Sequence, residues 1–306
     1  LDLLVDHDSK KWWPARFFSW METPGYQEPL AELRREAEGL GLGILATIVG
    51  NTITEEALPN YSARLATLFS DPTGINDRPW SVWSRGWTAE EDMHGRVLNA
   101  YLLLTGRVNM EAVEKTIFGL LKGGFEQDDD LYKGVLYPMF QEVATRVSHV
   151  NVAKIAKSEN AETMATMCRN VAGDEARHAR FYFAVGKALF DADPEGALQS
   201  WHDLMKDGVI MPAQYMTDGE TPAPDLFNQY ASIAQDVGVY TPTDYADILV
   251  DFNERLGVND LRVNGEAAKQ QEFVGRLPER IRKIGAYRMS KKREPIPLSW
   301  FDGKAV

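Results

Sequence analysis

The sequence predicts an all-α protein built around a four-helix bundle. Apolar residues recur with the period of an α-helix, loops rich in Gly, Pro and Asp separate these stretches, and no segment has the alternation of a β-rich domain. We expect one domain over residues 1–306, with the bundle core at about 28–190. The composition agrees, because 306 residues with 44% hydrophobic and 25% charged side chains can bury a substantial core.

The first part of the chain predicts a packed arm followed by helices. Residues 1–27 are rich in aromatic side chains and contain two prolines, which indicates a short helix and then extended chain lying on the body. A helical pattern covers 28–69, and three glycines between 39 and 43 interrupt it. Pro59 within this pattern predicts a kink or a local break in the hydrogen-bond ladder.

Two helices are predicted next, each with a recognisable boundary. The first runs from about residue 80 to 105, and Gly106 is expected to end it. Asn109 is expected to cap a shorter helix over 110–122.

The remaining helices are less sharply delimited. Pro138 is expected near the start of the next helix, where proline is tolerated. The helix after that covers roughly 159–190, and the loops at 191–196 and 217–225 separate two more helical stretches. The C-terminal EPIPLSWFDG contains two prolines and no helical period, so we predict extended chain or a small hairpin.

Four of the predicted helices carry acidic or histidine residues in the middle of apolar faces. These residues are Glu55; Glu91 with His94; Glu142; and Glu175 with His178. In each Glu-x-x-His pair the side chains are three residues apart and project from one helix face. One such pair is weak evidence. However, a lone Glu followed by Glu-x-x-His occurs twice at similar spacing, which indicates a pseudo-repeat of two helix pairs.

Such a cluster predicts bound metal. Four carboxylates directed at one core would be prohibitive unless their charge were cancelled. Two divalent cations would cancel it, because four carboxylates and two neutral imidazoles carry −4. This ligand set belongs to ferritin-like bundles with a di-iron or di-manganese site, and its oxygen-rich character favours those metals over structural zinc. The alternative, surface glutamates and unrelated histidines, conflicts with the apolar faces on which they fall.

The other candidate residues receive simpler interpretations. His149 lies on the same face as Glu142 and is expected to support a ligand or to be a satisfied core residue. His7 and His202 stand alone and are expected at the surface. Tyr182, one turn after His178, could be redox-active, but packing is the commoner role of a core aromatic side chain.

The segments around these residues resemble the soluble acyl-acyl-carrier-protein desaturases, the stearoyl-ACP Δ9 type of plant plastids and their bacterial relatives. The matching segments are TEEALPNY, RGWTAEEDMHGRVLNAYLLLTGRV, FQEVATRVSHVN and GDEARHARFY, followed by GVYTPTDYADIL, RLPERIRK and PLSWFD. The resemblance therefore extends over nearly the whole chain. One departure is Asp92-Met93, where the family commonly has Asn-Arg.

The resemblance implies oxygen-dependent insertion of a cis double bond into a fatty acyl chain on acyl carrier protein, with ferredoxin as electron donor, two iron ions and a homodimer. It implies six iron ligands: Glu55, Glu91, His94, Glu142, Glu175 and His178. It places the Thr145 hydroxyl beside the oxygen-binding face as a proton donor, and Trp12 with Asp174 on an electron route to the iron. Asp174 is also a plausible acceptor for a ligand imidazole N–H.

Three other functions remain open at this point. A hydroxylase or other oxygenase on the same scaffold would share all six ligands. A non-enzymatic ferritin-like iron-binding protein is disfavoured by the long segment beyond His178. A radical-generating ribonucleotide reductase subunit is disfavoured because Leu98, one turn after His94, is not a tyrosine.

Charge and cysteine content restrict partners and compartment. A net charge of −12 argues against nucleic acid as the main partner. The basic segment 276–293, opposed in sequence only by Glu279, is either a solvated face or a docking patch for an acidic partner. The single Cys168 excludes an intramolecular disulfide and suits a reducing compartment. We expect the cytoplasm in a bacterium or the plastid stroma in a plant, without membrane insertion, because no apolar run is long enough to span a bilayer.

Overall fold

The structure is a computed structural model that describes residues 1–306 except 7, 11, 72, 125–128, 210 and 291–292. His7, for which a surface position is predicted, therefore lies outside the described residues. The same holds for the two lysines at 291 and 292 of the basic segment. Within the described residues the fold is all-α and contains no β-strand, as predicted. The expected C-terminal hairpin is reduced to one antiparallel bridge between Pro297 and Ala305.

The helices follow the predicted order, with a more divided C-terminal third. In the described residues they are α1 Pro14–Phe17, α2 Gln27–Glu38, α3 Leu42–Glu56, α4 Leu58–Leu68, α5 Pro79–Thr105, α6 Met110–Gly123, α7 Lys133–Ser158, α8 Glu162–Ala192, α9 Pro194–Asp207, α10 Asp225–Asp236, α11 Pro242–Arg255 and α12 Gly265–Met289.

Local sequence explains the boundaries of the central helices. Gly106 adopts a left-handed conformation with φ of 65° and ends α5, as predicted. The Asn109 side chain accepts a hydrogen bond from the Ala112 N–H at 3.1 Å and caps α6, again as predicted. These two positions fix the tight turn between α5 and α6.

Prolines shape two of the site-bearing segments. Pro59 lies in the first turn of α4, where a missing N–H costs little, and the predicted break separates α3 from α4 at Ala57. Pro138 differs from its prediction. It lies at the sixth residue of α7, inside the helix, where it removes the hydrogen bond to the Gly134 carbonyl.

Among its described residues, the region after α8 contains four α-helices, α9 to α12, rather than the two helical stretches predicted. The additional boundaries fall at Gly238 and Gly257, which both have φ of 74°. Each glycine permits a left-handed turn that a substituted residue would adopt only with strain. A single glycine within an otherwise helical pattern is an ambiguous signal, which explains the missed boundaries.

The bundle consists of α3 packed on α5 and α7 packed on α8, and this is the ferritin-like arrangement predicted. Two apolar clusters fill it. On α8, for example, Val171 belongs to one cluster and Tyr182 to the other, with Glu175 and His178 between them. On α8, Glu175 and His178 therefore lie in a polar layer between the two apolar clusters.

The N-terminal arm lies on the bundle, as predicted, with α1 against α5 and the side chains of Trp12 and Phe18 buried. Among the described residues, no single helix is both long and apolar enough to cross a membrane. Only α2 taken together with α3–α4, bent by 112° between them, satisfies length and composition.

Candidate metal centre

Six buried side chains from four helices converge in the layer between the two apolar clusters. They are Glu55 of α3, Glu91 and His94 of α5, Glu142 of α7, and Glu175 and His178 of α8, each at most 4% exposed. They form two overlapping groups of four, and in each group one donor atom per residue lies within 4.8 Å of all the others. Glu91 and Glu175 belong to both groups, so one ion in each group would share these two carboxylates.

Both imidazoles direct Nδ1 into this cluster. Nδ1 of His94 lies 3.3 Å from a Glu91 oxygen and 3.4 Å from a Glu175 oxygen. Nδ1 of His178 lies 2.7 Å from a Glu91 oxygen and 3.4 Å from a Glu142 oxygen. The inner faces of six potential ligands therefore surround one small volume.

Several of these inward atoms have unfilled bonding capacity. Nδ1 of both histidines and Oε1 of Glu91 and Glu175 are buried, and among the described residues none has a hydrogen-bond partner of acceptable geometry. Buried polar atoms without partners are costly and uncommon. Two cations would satisfy all four atoms, and a donor set of four carboxylates and two imidazoles suits iron or manganese. The residues present therefore fit a two-metal centre.

Without metal, the cluster balances its charge by holding protons. Burial and the neighbouring Glu175 carboxylate raise the pKa of Glu142 well above its usual value. Burial lowers the pKa of His94 and His178, but the surrounding carboxylates outweigh it and raise both well above the usual range. Burial raises the pKa of Glu175, but the two nearby imidazoles outweigh it and hold the pKa well below its usual value. Metal binding must therefore displace protons.

Each histidine also contacts a carboxylate through Nε2, the ring nitrogen that faces away from the cluster. Nε2 of His94 lies 3.5 Å from Oδ2 of Asp174, as the sequence suggested for that residue. Nε2 of His178 lies 3.2 Å from Oε2 of Glu90, a residue that sequence reasoning missed. Hydrogen bonds with His178 and Arg177 outweigh burial and lower the pKa of Glu90 to about 2. The available signal was positional, because Glu90 precedes Glu91 as Asp174 precedes Glu175.

The two lone glutamates also have outer partners, and these differ. Nε2 of His149 lies 2.9 Å from Oε1 of Glu55, so His149 occupies the supporting position expected of it. Burial lowers the pKa of His149, but Cys168 and Glu55 outweigh it and raise it to about 10. The Trp87 indole N–H donates to Oε1 of Glu142 at 3.0 Å, a role not foreseen from sequence.

The remaining predicted residues lie close to this centre. The Trp12 indole N–H donates to Asp174 at 3.2 Å, and its ring stacks on His94 with centroids 6.0 Å apart. Thr145 is half-buried one turn after Glu142. Tyr182 is fully buried among tryptophans, and His202 is partly exposed beside Asp203, away from the cluster. The roles of Trp12, Asp174 and Thr145 remain predictions.

Two cavities flank the ligands. One, of about 70 Å³, has walls that include Tyr61, Leu65 and Pro138. The other, of about 220 Å³, reaches α10, where Phe227, Tyr230 and Ala231 line it. Thr54, Glu55 and Thr145 line both cavities. The two cavities therefore share one wall, which includes the predicted ligand Glu55.

Fold and site together define a class: helical-bundle proteins whose buried carboxylate–histidine cluster is of the kind that holds two metal ions. The sequence profile of the family described as fatty acid desaturase matches residues 2–301. The chain belongs to this family.

Named relatives agree with this assignment. Stearoyl-acyl-carrier-protein 9-desaturase 5 of Arabidopsis thaliana is 40% identical over 305 residues, 97% of this chain and 76% of the relative. The corresponding 9-desaturase of Simmondsia chinensis is 41% identical over 304 residues, 97% and 76% of the two chains. The Olea europaea protein is 40% identical over 313 residues, 100% and 80%. These relatives are chloroplast proteins of an oxidoreductase family.

Proposed function

We propose that this protein is an oxygen-dependent di-iron desaturase that introduces a cis double bond into a fatty acyl chain carried on acyl carrier protein, with ferredoxin as electron donor. The observation that carries the proposal is the six-residue cluster lying against apolar cavities within a desaturase-family fold. The relatives named above act on stearoyl-acyl-carrier protein, which supports the substrate class.

The ligand assignment follows from the two overlapping groups. Glu91 and Glu175 would be shared by both ions. Glu55 with His94 would complete one coordination sphere, and Glu142 with His178 the other. When bound, two iron ions supply the oxygen-activating redox chemistry that no protein side chain provides.

The cavities offer a binding path for an apolar chain. Most of the surface exposed inside them is apolar, and the carboxylates that line them are ligands in this proposal, so their charge would be neutralised by metal. A chain lying in both spaces would pass the Glu55–Thr145 wall at its middle. The protein would thereby orient two neighbouring methylene groups toward the centre and exclude water from the reaction.

Thr145 and Trp12 have positions that suit their proposed roles. Thr145 stands at the wall common to both cavities, where its hydroxyl could move a proton beside the bound chain. Trp12, Asp174 and His94 form a hydrogen-bonded series that ends at a ligand, which suits an electron path from the protein exterior.

Acidic residues outside the basic segment also form ion pairs with it, in addition to Glu279 within it. Arg276 bonds Glu272 at 2.7 Å, while Arg282 and Arg293 contact Asp247 and Asp236. These ion pairs make the segment less positive than its sequence alone indicates. An acidic carrier protein would have to compete with Glu272, Asp247 and Asp236 for the three arginines.

Charge reversal tests this surface. Arg280→Glu with Lys283→Glu is expected to raise KM for acyl-acyl-carrier protein without changing iron content, because both side chains are exposed on α12. An unchanged KM would refute docking there.

Product analysis tests the activity itself. Iron-loaded protein is incubated with stearoyl-acyl-carrier protein, reduced ferredoxin and O2, and the released fatty acids are examined by mass spectrometry. A mono-unsaturated product supports the proposal. A hydroxylated product would instead establish an oxygenase on this scaffold.

We also propose a homodimer, located in the plastid stroma of a plant or the cytoplasm of a bacterium.

A further inference from the structure

An N-terminal segment lies across the outer side of the metal centre. We call residues 3–12 the strap; residues 7 and 11 within it are not described. Its contacts reach far along the chain: the Val5 N–H donates to Oε1 of Glu90 at 2.9 Å, and Lys10 Nζ donates to Oδ2 of Asp174 at 2.9 Å. The Leu3 carbonyl accepts a hydrogen bond from Arg177 at 3.0 Å.

These contacts converge on the two carboxylates that stand behind the histidines. Glu90 contacts His178, and Asp174 contacts His94. Arg177 joins both carboxylates through one guanidinium nitrogen. The strap therefore reaches each ligand histidine through one intermediate side chain.

Charge explains why the strap is needed. When His94 and His178 are neutral, as metal ligands must be, Glu90 and Asp174 contribute two negative charges at buried positions, and Arg177 supplies one positive charge. Lys10 supplies the second, with its side chain 4% exposed. A buried ammonium requires a partner, so Lys10 and Asp174 hold each other in place.

Packing fixes the strap in register. The Leu4 side chain fills the space beside Gly86 on α5, where a β-carbon would lie 2.4 Å from Leu4 Cδ1. The Lys10 ammonium lies 4.8 Å from the centre of the Trp12 ring. Leu4 and Lys10 thus anchor the strap on both sides of the Val5 contact.

We infer that the strap is a positioning element of the metal centre: Lys10 holds Asp174 against His94, and the Val5 N–H holds Glu90 against His178. This inference rests on the proposed two-metal centre. Side chains that orient a ligand histidine typically change metal affinity by about 10–100-fold when removed. Lys10 and Val5 act one contact further out, so we expect roughly the lower end of that range.

Metal release provides the test. The protein is loaded with Fe(II) and mixed with excess chelator, both under anaerobic conditions. The rate of iron loss is measured from the absorbance of the coloured chelate. Lys10→Met removes the charge but keeps an unbranched side chain, and we expect iron loss roughly tenfold faster than wild type. Lys10→Arg should restore slow release. The control is Lys157→Met, because Lys157 is exposed on α7.

A main-chain variant tests the second arm without changing charge. Val5→Pro removes the N–H that donates a hydrogen bond to Glu90, whereas Val5→Ala keeps it. We expect faster release from the proline variant only. Cobalt-loaded protein gives an independent readout, because the visible spectrum of Co(II) should shift in Lys10→Met and Val5→Pro but not in the two controls.

The outcomes separate the strap from the metal centre. If wild-type protein bound no metal, both would be refuted. If it bound two ions and Lys10→Met and Val5→Pro released them at the wild-type rate with unchanged Co(II) spectra, the strap would be refuted and the metal centre retained. Should Lys10→Met fail to fold, the Val5 pair alone decides.

Discussion

His149 provides the clearest test of how the protein shapes its own ligands. Its side chain is fully buried, and Nε2 lies 2.9 Å from Oε1 of Glu55. His149→Leu removes this contact with a modest change of volume. A hydrogen bond to a charged group contributes about 1.5–3 kcal/mol. The loss of a group that orients a ligand costs about 10–100-fold in metal affinity, roughly 1.4–2.7 kcal/mol.

The two magnitudes agree, so we expect His149→Leu to lower the affinity for one of the two ions by about 10–100-fold. The affected ion would be the one that we assign to Glu55 and His94, whereas the ion assigned to Glu142 and His178 should be retained. Competition with a chelator of known affinity measures both dissociation constants. His202→Leu is the matched control, because His202 lies beside Asp203, away from the cluster. Affinities within twofold of wild type for both ions would show that His149 does not position Glu55.

Three further predictions concern protons, the cavity and a helix cap. Because the pKa values of Glu142, His94 and His178 are raised in the metal-free cluster, protons compete with metal. Apparent affinity should therefore rise with pH, about tenfold per unit for each proton displaced, and chelator competition between about pH 6 and 8 measures this slope; a flat profile would contradict the charge balance described above. A β-carbon at Gly50 would lie 2.0 Å from the Tyr230 ring, so Gly50→Ala should lower the free energy of unfolding by about 1–3 kcal/mol in urea titration, and an unchanged midpoint would show that Tyr230 moves freely. Asn109→Ala should cost about 1 kcal/mol by the same assay, while Asn109→Ser, which keeps a capping oxygen and places no charge beside Asp302, should cost less.

Local patterns predicted most of the ligand-bearing framework. The Glu-x-x-His spacing requires only that the segment be helical, and the apolar period around Glu91 and Glu175 showed that it was. Gly106 and Asn109 carry their helix-boundary signals in their own chemistry. Features of this kind depend on neighbours within a few residues.

The missed features depend on distant parts of the chain. The role of Glu90 appears only when α5 lies against α8, since its partners are Arg177 and His178. Lys10 is 164 residues from Asp174, and nothing in the sequence around it distinguishes a buried lysine from a solvated one. The ion pairs of the basic segment could not be predicted for the same reason, because Asp236 and Asp247 belong to other helices.

The most direct test of the two-metal centre is iron content combined with X-ray absorption on the loaded protein. We expect two irons per chain, a first shell of oxygen and nitrogen only, and an iron–iron separation of about 3.5–4 Å, as in other two-metal sites. Glu91→Ala, which removes a shared carboxylate, should abolish the iron–iron signal. One iron or none per chain, or sulfur in the first shell, would contradict the proposed centre.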